Sequence, residues 1–121
     1  MSNPADQAEA PVLILVRDLM FLPRITRSAV EAGVPTRVLR DPKDLAGQAG
    51  THVIVDLSLG GALEAAAAWR AAGGGSVTAF IGHTEAATIE RARAAGIDRV
   101  MAKGAFVAQL VQILSGMRAG Q

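Results

Sequence analysis

Four charged side chains stand where short apolar runs stop: Arg17 and Asp18 after Val12 to Val16, Asp56 after Val53-Ile54-Val55, and Lys103 after Val100-Met101-Ala102. An ionisable group at the end of a buried strand lies beside an apolar core, and that environment tunes its charge. Asp56 can take part in ligand chemistry there, or it can simply accept hydrogen bonds from the turn that follows it. Lys103 can serve as a point charge for an anion, or it can pair with Asp56 or Asp18. His52 and His83 have no third ligand in view, which argues against a metal site built on them. His83 follows the fourth apolar run and can touch the Asp56 pocket. No cysteine is present, so disulfides, thiolate nucleophiles and thiol metal sites are excluded. No Ser-His-Asp or Cys-His set is evident, and Gly73-Gly74-Gly75 lacks the pattern of a phosphate loop and reads as a flexible connection.

The elements that must position these groups follow from periodicity. Val12 to Val16, Val38-Leu39, Val53 to Val55, Val77 to Ile81 and Val100 to Ala102 are short continuous apolar runs, the pattern of strands covered on both faces. Thr36 to Arg40 is flanked by charges and suits a short edge strand. Between the runs lie helical stretches. Leu22, Ile25 and Ala29 mark one inward face, with Pro23 in its first turn and Gly33 as its C-cap. Asp41-Pro42 starts a short helix ending near Gly50, and an alanine-rich helix runs from about Ala62 to Ala72. Thr84 can cap a helix that buries Ile89 and Ala92, Gly96 ends it, and Phe106 to Met117 forms the last. Strand and helix alternate five times with short connections. The right-handed crossover rule turns that into a flavodoxin-like, doubly wound α/β fold, a five-stranded parallel sheet in the order 2-1-3-4-5 with helices on both faces. All four charged groups then share the sheet's carboxyl edge, where ligands bind in such folds.

Composition narrows the function. The chain has 121 residues, enough for one domain at 11–121, preceded by a tail at 1–10 that has little to bury and is expected to be disordered. A net charge near +1 with 3% aromatic residues gives neither a basic stripe nor a stacking platform, so nucleic acid is a poor partner. Val12 to Val16 is too short to span a membrane, and no basic leader precedes it, which fits a soluble protein with a cytoplasmic address.

With Asp18, Asp56 and Lys103 on one edge, residues 11–118 resemble a response-regulator receiver domain, the phosphoacceptor module of bacterial two-component signalling, which is not itself an enzyme. The resemblance implies that Asp56 stands at the phosphoacceptor position, Asp18 at the second of the paired acids after the first strand, and Lys103 at the lysine. It also implies that Asp18, Asp56 and the Ser58 carbonyl would hold Mg²⁺, and that the lysine contacts the phosphoryl group. The chain departs from the pattern in four places. Arg17 replaces the first acid, and Ile81 or Gly82 stands where the family has a hydroxyl. Val100 occupies the aromatic switch position, and Gly104 replaces a proline after the lysine.

These departures favour an atypical, stand-alone receiver-like module that works through protein contacts, with weak or absent Mg²⁺-dependent phosphorylation and no other cofactor. Its partner would be a histidine kinase or a downstream signalling protein. An ordinary phosphoaccepting receiver is the alternative, and a small flavodoxin-like cofactor-binding or enzyme subunit is the third reading. Three structural expectations follow. Arg17, Asp56 and Lys103 form a locked cluster in place of the metal. The last helix, apolar at Phe106, Val107, Leu110, Ile113, Leu114 and Met117, is wider than one sheet face needs and offers a surface for a homodimer or partner. Leu19-Met20-Phe21-Leu22 cannot all face inward and is either wrapped by loops or a partner patch.

Overall fold

A computed structural model describes residues 10–82 and 86–117 of the chain. The expected tail falls almost wholly on residues 1–9, and His83 and Thr84 also lie outside the described residues. The elements are β1 (Val12–Leu15), α1 (Leu22–Ala32), β2 (Thr36–Leu39), a 3-10 turn (Pro42–Leu45), β3 (His52–Asp56), α2 (Ala62–Ala71), β4 (Ser76–Ile81), α3 (Ala86–Ala94), β5 (Arg99–Ala102), α4 (Lys103–Ala108) and α5 (Leu110–Ser115). The strands form one parallel sheet in the order β2-β1-β3-β4-β5, as the alternation predicts. No described helix is long and apolar enough to cross a membrane.

Strand alternation divides the core in two. Val12 and Ile14 point to one face, where they meet Ile25, Ala29, Phe106, Leu110 and Leu114 from α1, α4 and α5. Leu13 and Leu15 point to the other, against Leu45, Leu63, Ala66, Trp69 and Ala92. Two turn predictions hold in detail. Gly33 closes α1 at φ 73°, with its N–H turned back onto Ala29 and Val30 carbonyls, and Asp41 caps the 3-10 turn by accepting from the Lys43 N–H at 3.0 Å.

Two expectations need correction. The last helix begins earlier than Phe106, at Lys103, and it is divided at Gln109, where φ −110° and ψ 13° leave helical geometry. Its apolar arc is covered within the chain: Phe106, Leu110, Ile113, Leu114 and Met117 are buried and Val107 packs against the same cluster. The width of the arc is absorbed because α4 packs on β4 and β5 while α5 packs on α1, so it gives no ground for a dimer surface. The glycine triplet is not slack either. A Cβ on Gly74 would lie 2.3 Å from the Trp69 ring, and one on Gly75, at φ 141°, would lie 2.3 Å from the Thr51 carbonyl. Close approach, not flexibility, requires glycine there.

The opposite, amino-terminal end of the sheet is tied by a feature invisible in the local pattern. Asp98 accepts from Arg70 Nε and Nη2, both at 2.8 Å, and from the buried Val77 N–H at 2.7 Å, joining α2, β4 and the segment before β5.

Candidate functional site

The carboxyl edge is built from the ends of β1, β3, β4 and β5 on a floor of phenylalanines. All three phenylalanines of the chain meet there. Phe80 and Phe106 stack with centroids 4.8 Å apart, and Phe21 sits edge-on to Phe80 at 5.2 Å. Such aromatic packing fixes the floor more firmly than aliphatic contacts of equal area.

Asp18 and Lys103 come together on this floor. Lys103 Nζ donates to Asp18 Oδ2 at 3.2 Å, and the same ammonium lies 4.5 Å from the Phe21 ring centroid, a cation–π arrangement. The other Asp18 oxygen, Oδ1, accepts from the N–H groups of Met20 at 2.9 Å and Phe21 at 3.2 Å, closing the turn into α1. The Met20 N–H, and then Lys103, hold the Asp18 carboxyl below its ordinary range. Of the two partners open to Lys103 in the sequence, Asp18 is the one engaged.

Asp56 sits half-buried at the end of β3. Its Oδ1 accepts from the Ser58 N–H at 2.9 Å and from the Ser58 hydroxyl at 2.6 Å. Ser58 thus serves Asp56 with donors, the hydrogen-bonding role open to any strand-end Asp, in addition to its carbonyl. Asp56 Oδ2 has no partner among the described residues. At the end of β4, Ile81 is buried and carries no hydroxyl, while a Cβ on Gly82 would meet nothing within 4 Å.

The expected lock of Arg17 onto Asp56 does not form. Arg17 is exposed and lines a cleft of about 440 Å³ together with Val38 and Arg40, on the β2 side. In the sheet β1 lies between β2 and β3, so that cleft lies across β1 from the strand that ends in Asp56. Among the described residues neither Arg17 nor Lys103 forms an ion pair with Asp56. The Leu19 to Leu22 turn divides: Phe21 is buried, Leu22 is half-buried, and Leu19 and Met20 are 76% and 88% exposed.

Whether the edge suits the Mg²⁺ of the resemblance can be judged from its donors. Three of the four carboxylate oxygens of Asp18 and Asp56 already accept hydrogen bonds, and no cluster of three acidic or histidine side chains exists among the described residues. Mg²⁺ keeps several waters and is held by one or two protein carboxylates, so at this edge it would compete with the Lys103 ammonium for Asp18 Oδ2. A cavity of about 660 Å³ between the 3-10 segment and α2 lies by Trp69 and Gly74 and away from these groups.

Sequence reasoning missed the Phe21 ring under Lys103 and the double use of Asp18. The second was legible, because an acid followed two and three residues later by the first N–H groups of a helix is a capping pattern.

The chain matches no protein-family model and no curated protein. Solved structures share its fold. A response regulator from Thermotoga maritima is 14% identical, with 92% of this chain and 99% of that one covered at a TM-score of 0.73. A CheY-like response regulator receiver domain protein from Methanospirillum hungatei is 13% identical, covering 89% and 95% at 0.71. A response regulator from Burkholderia pseudomallei, with a phosphorylated aspartic acid, calcium ion and citrate, is 22% identical, covering 89% of this chain and 66% of that one at 0.71. At these identities the likeness establishes the receiver-domain fold.

Proposed function

We propose that the chain is a receiver-fold signalling module that acts through contacts with other proteins, with Mg²⁺-dependent phosphorylation of Asp56 weak or absent. The observation that carries this reading is the Lys103–Asp18 pair at 3.2 Å. It joins the lysine to the one carboxylate after β1, and Asp18 is tied at its other oxygen into the turn before α1. An arriving dication would compete with the ammonium for Asp18 Oδ2. Without metal, the charge that builds on a transferred phosphoryl group is poorly offset, and that charge neutralisation is most of the catalysis in such transfers. The missing hydroxyl at Ile81 and Gly82 removes a further contact of the receiver pattern. A cytoplasmic address and a protein partner, histidine kinase or downstream component, go with the reading.

A second reading rests on one specific observation: Asp56 Oδ2 has no hydrogen-bond partner among the described residues, and a phosphoacceptor oxygen must be free. The phosphorylated aspartate of the Burkholderia pseudomallei structure shows that chemistry in a protein of this fold. Incubation of the full chain with acetyl phosphate and Mg²⁺, followed by intact mass measurement, separates the two. The expected result is no phosphate adduct. A stoichiometric adduct abolished by Asp56→Asn establishes the second reading and ends the first.

A further inference from the structure

Two arginines that the acceptor edge does not use sit together at its β2 end. Arg17 and Arg40 line the cleft of about 440 Å³ whose apolar wall is Val16, Leu22 and Val38, with Leu19 at its rim. Neither arginine has a hydrogen bond or ion pair among the described residues. The one carboxylate in the lining, Asp41, already accepts from the Lys43 N–H. The wall is a natural continuation of the core: Val38 pairs in register with Ile14 and lies on the α1 face of the sheet, but β2 is the edge strand, and among the described residues no further strand pairs beyond it. Val38 is left 38% exposed as a result.

From this we infer that the cleft is the contact surface of the module, and that it takes an acidic segment of a partner protein in which a carboxylate side chain neighbours a large apolar one. The inference rests on the contact-mediated reading above and names its surface. Charge selects the partner. Guanidinium groups are weakly hydrated and match carboxylates with a fixed fork of donors, and two of them face one engaged carboxylate. The apolar wall selects the neighbouring side chain, which would cover Leu22 and Val38. Leu19 and Met20, both largely exposed, extend the apolar surface past the cleft. With few aromatic platforms in the chain, a nucleic-acid strand is less well served by the same arginines.

The test uses the full chain labelled with ¹⁵N and a short capped peptide in which a Leu-Phe pair is flanked by glutamates. Control peptides carry glutamine for glutamate, or serine for the Leu-Phe pair. Saturable amide shifts are expected at Arg17 to Leu22 and Val38 to Asp41. Both controls should bind at least about tenfold more weakly, which is about 1.4 kcal/mol. Affinity for the acidic peptide should fall by a similar factor in the Arg17→Glu, Arg40→Glu double variant and on raising salt from about 0.15 M to about 0.5 M. Both arginines are exposed, so the double variant should fold, and the Arg17→Lys, Arg40→Lys variant, which keeps the charge, should retain most of the binding. Absence of saturable shifts, shifts centred elsewhere, or equal binding of the glutamine peptide would overturn the assignment of the cleft while leaving the contact-mediated reading standing. A phosphate adduct at Asp56 would remove that reading while leaving the cleft's peptide binding to be judged on its own result.

Discussion

Replacing Asp98 by alanine should destabilise the fold far more than replacing its partner Arg70. Asp98 accepts three hydrogen bonds, two from the partly exposed Arg70 guanidinium and one from the Val77 N–H, and Val77 is fully buried in β4. Asp98→Ala strands that N–H without an acceptor, which costs about 1–3 kcal/mol, and it also removes a solvent-screened ion pair that adds little to this. The loss should be about 1–3 kcal/mol. Arg70→Ala leaves Val77 served and should cost clearly less than Asp98→Ala. Urea unfolding followed by circular dichroism gives both values, provided the slope m is unchanged; the larger loss corresponds to a fall in Tm of roughly 4–12 °C for a chain of this size. The pH dependence has a definite sign. Hydrogen bonds from Arg70, and then from the Val77 N–H, hold the Asp98 carboxyl below its ordinary range against the opposing effect of burial. The folded value is thus depressed, so the contribution is present above the unfolded value near about 4 and fades as pH falls through the folded one. The gap between wild type and Asp98→Ala should close in acid. Equal losses for the two variants, or a gap that widens below about pH 4, would refute the reasoning.

Gly74→Ala should cost about 1–3 kcal/mol, since its Cβ would overlap the Trp69 ring at 2.3 Å; a urea midpoint equal to wild type would contradict the packing described. Phe106→Ala, which empties the centre of the phenylalanine floor from a fully buried position, should cost about 3–5 kcal/mol by the same measurement. Met20→Ser, at a side chain 88% exposed, should change stability by less than about 0.5 kcal/mol. Arg17→Asp adds a third carboxylate to the edge and should give measurable Mg²⁺-dependent amide shifts near Asp18 and Asp56; none in the variant, or equal shifts in wild type, counts against the account of the metal site.

The sheet order was legible because each strand is a continuous apolar run and each long helix carries its own stop or cap. The carboxyl edge was legible for the same reason, since parallel strands bring Asp18, Asp56 and Lys103 to one rim. What pattern could not supply was the direction of long side chains. Strand spacing made an Arg17–Asp56 contact feasible, but the order β2-β1-β3 leaves two sides open to Arg17, and it takes the β2 side. Arg70 and Asp98 are distant in sequence and exposed in part, so no periodicity links them. The wide apolar arc of the last helix suggested a surface because its second cover, α1, is a tertiary fact.

The position of Trp69 sets what optical methods can see. The chain has one tryptophan and no tyrosine, so its near-ultraviolet emission comes from a single indole. That ring is buried on the α2 side of the sheet, donates from Nε1 to the Gln48 carbonyl at 2.9 Å and borders the cavity of about 660 Å³. The phenylalanine floor under Lys103 and Asp18 belongs to the core on the other face. Emission will therefore follow global unfolding and anything that enters the groove by the 3-10 segment. Events at the carboxyl edge, whether a metal ion, a phosphoryl group or a docked peptide, should leave it unchanged, and a flat fluorescence titration there carries no information about binding.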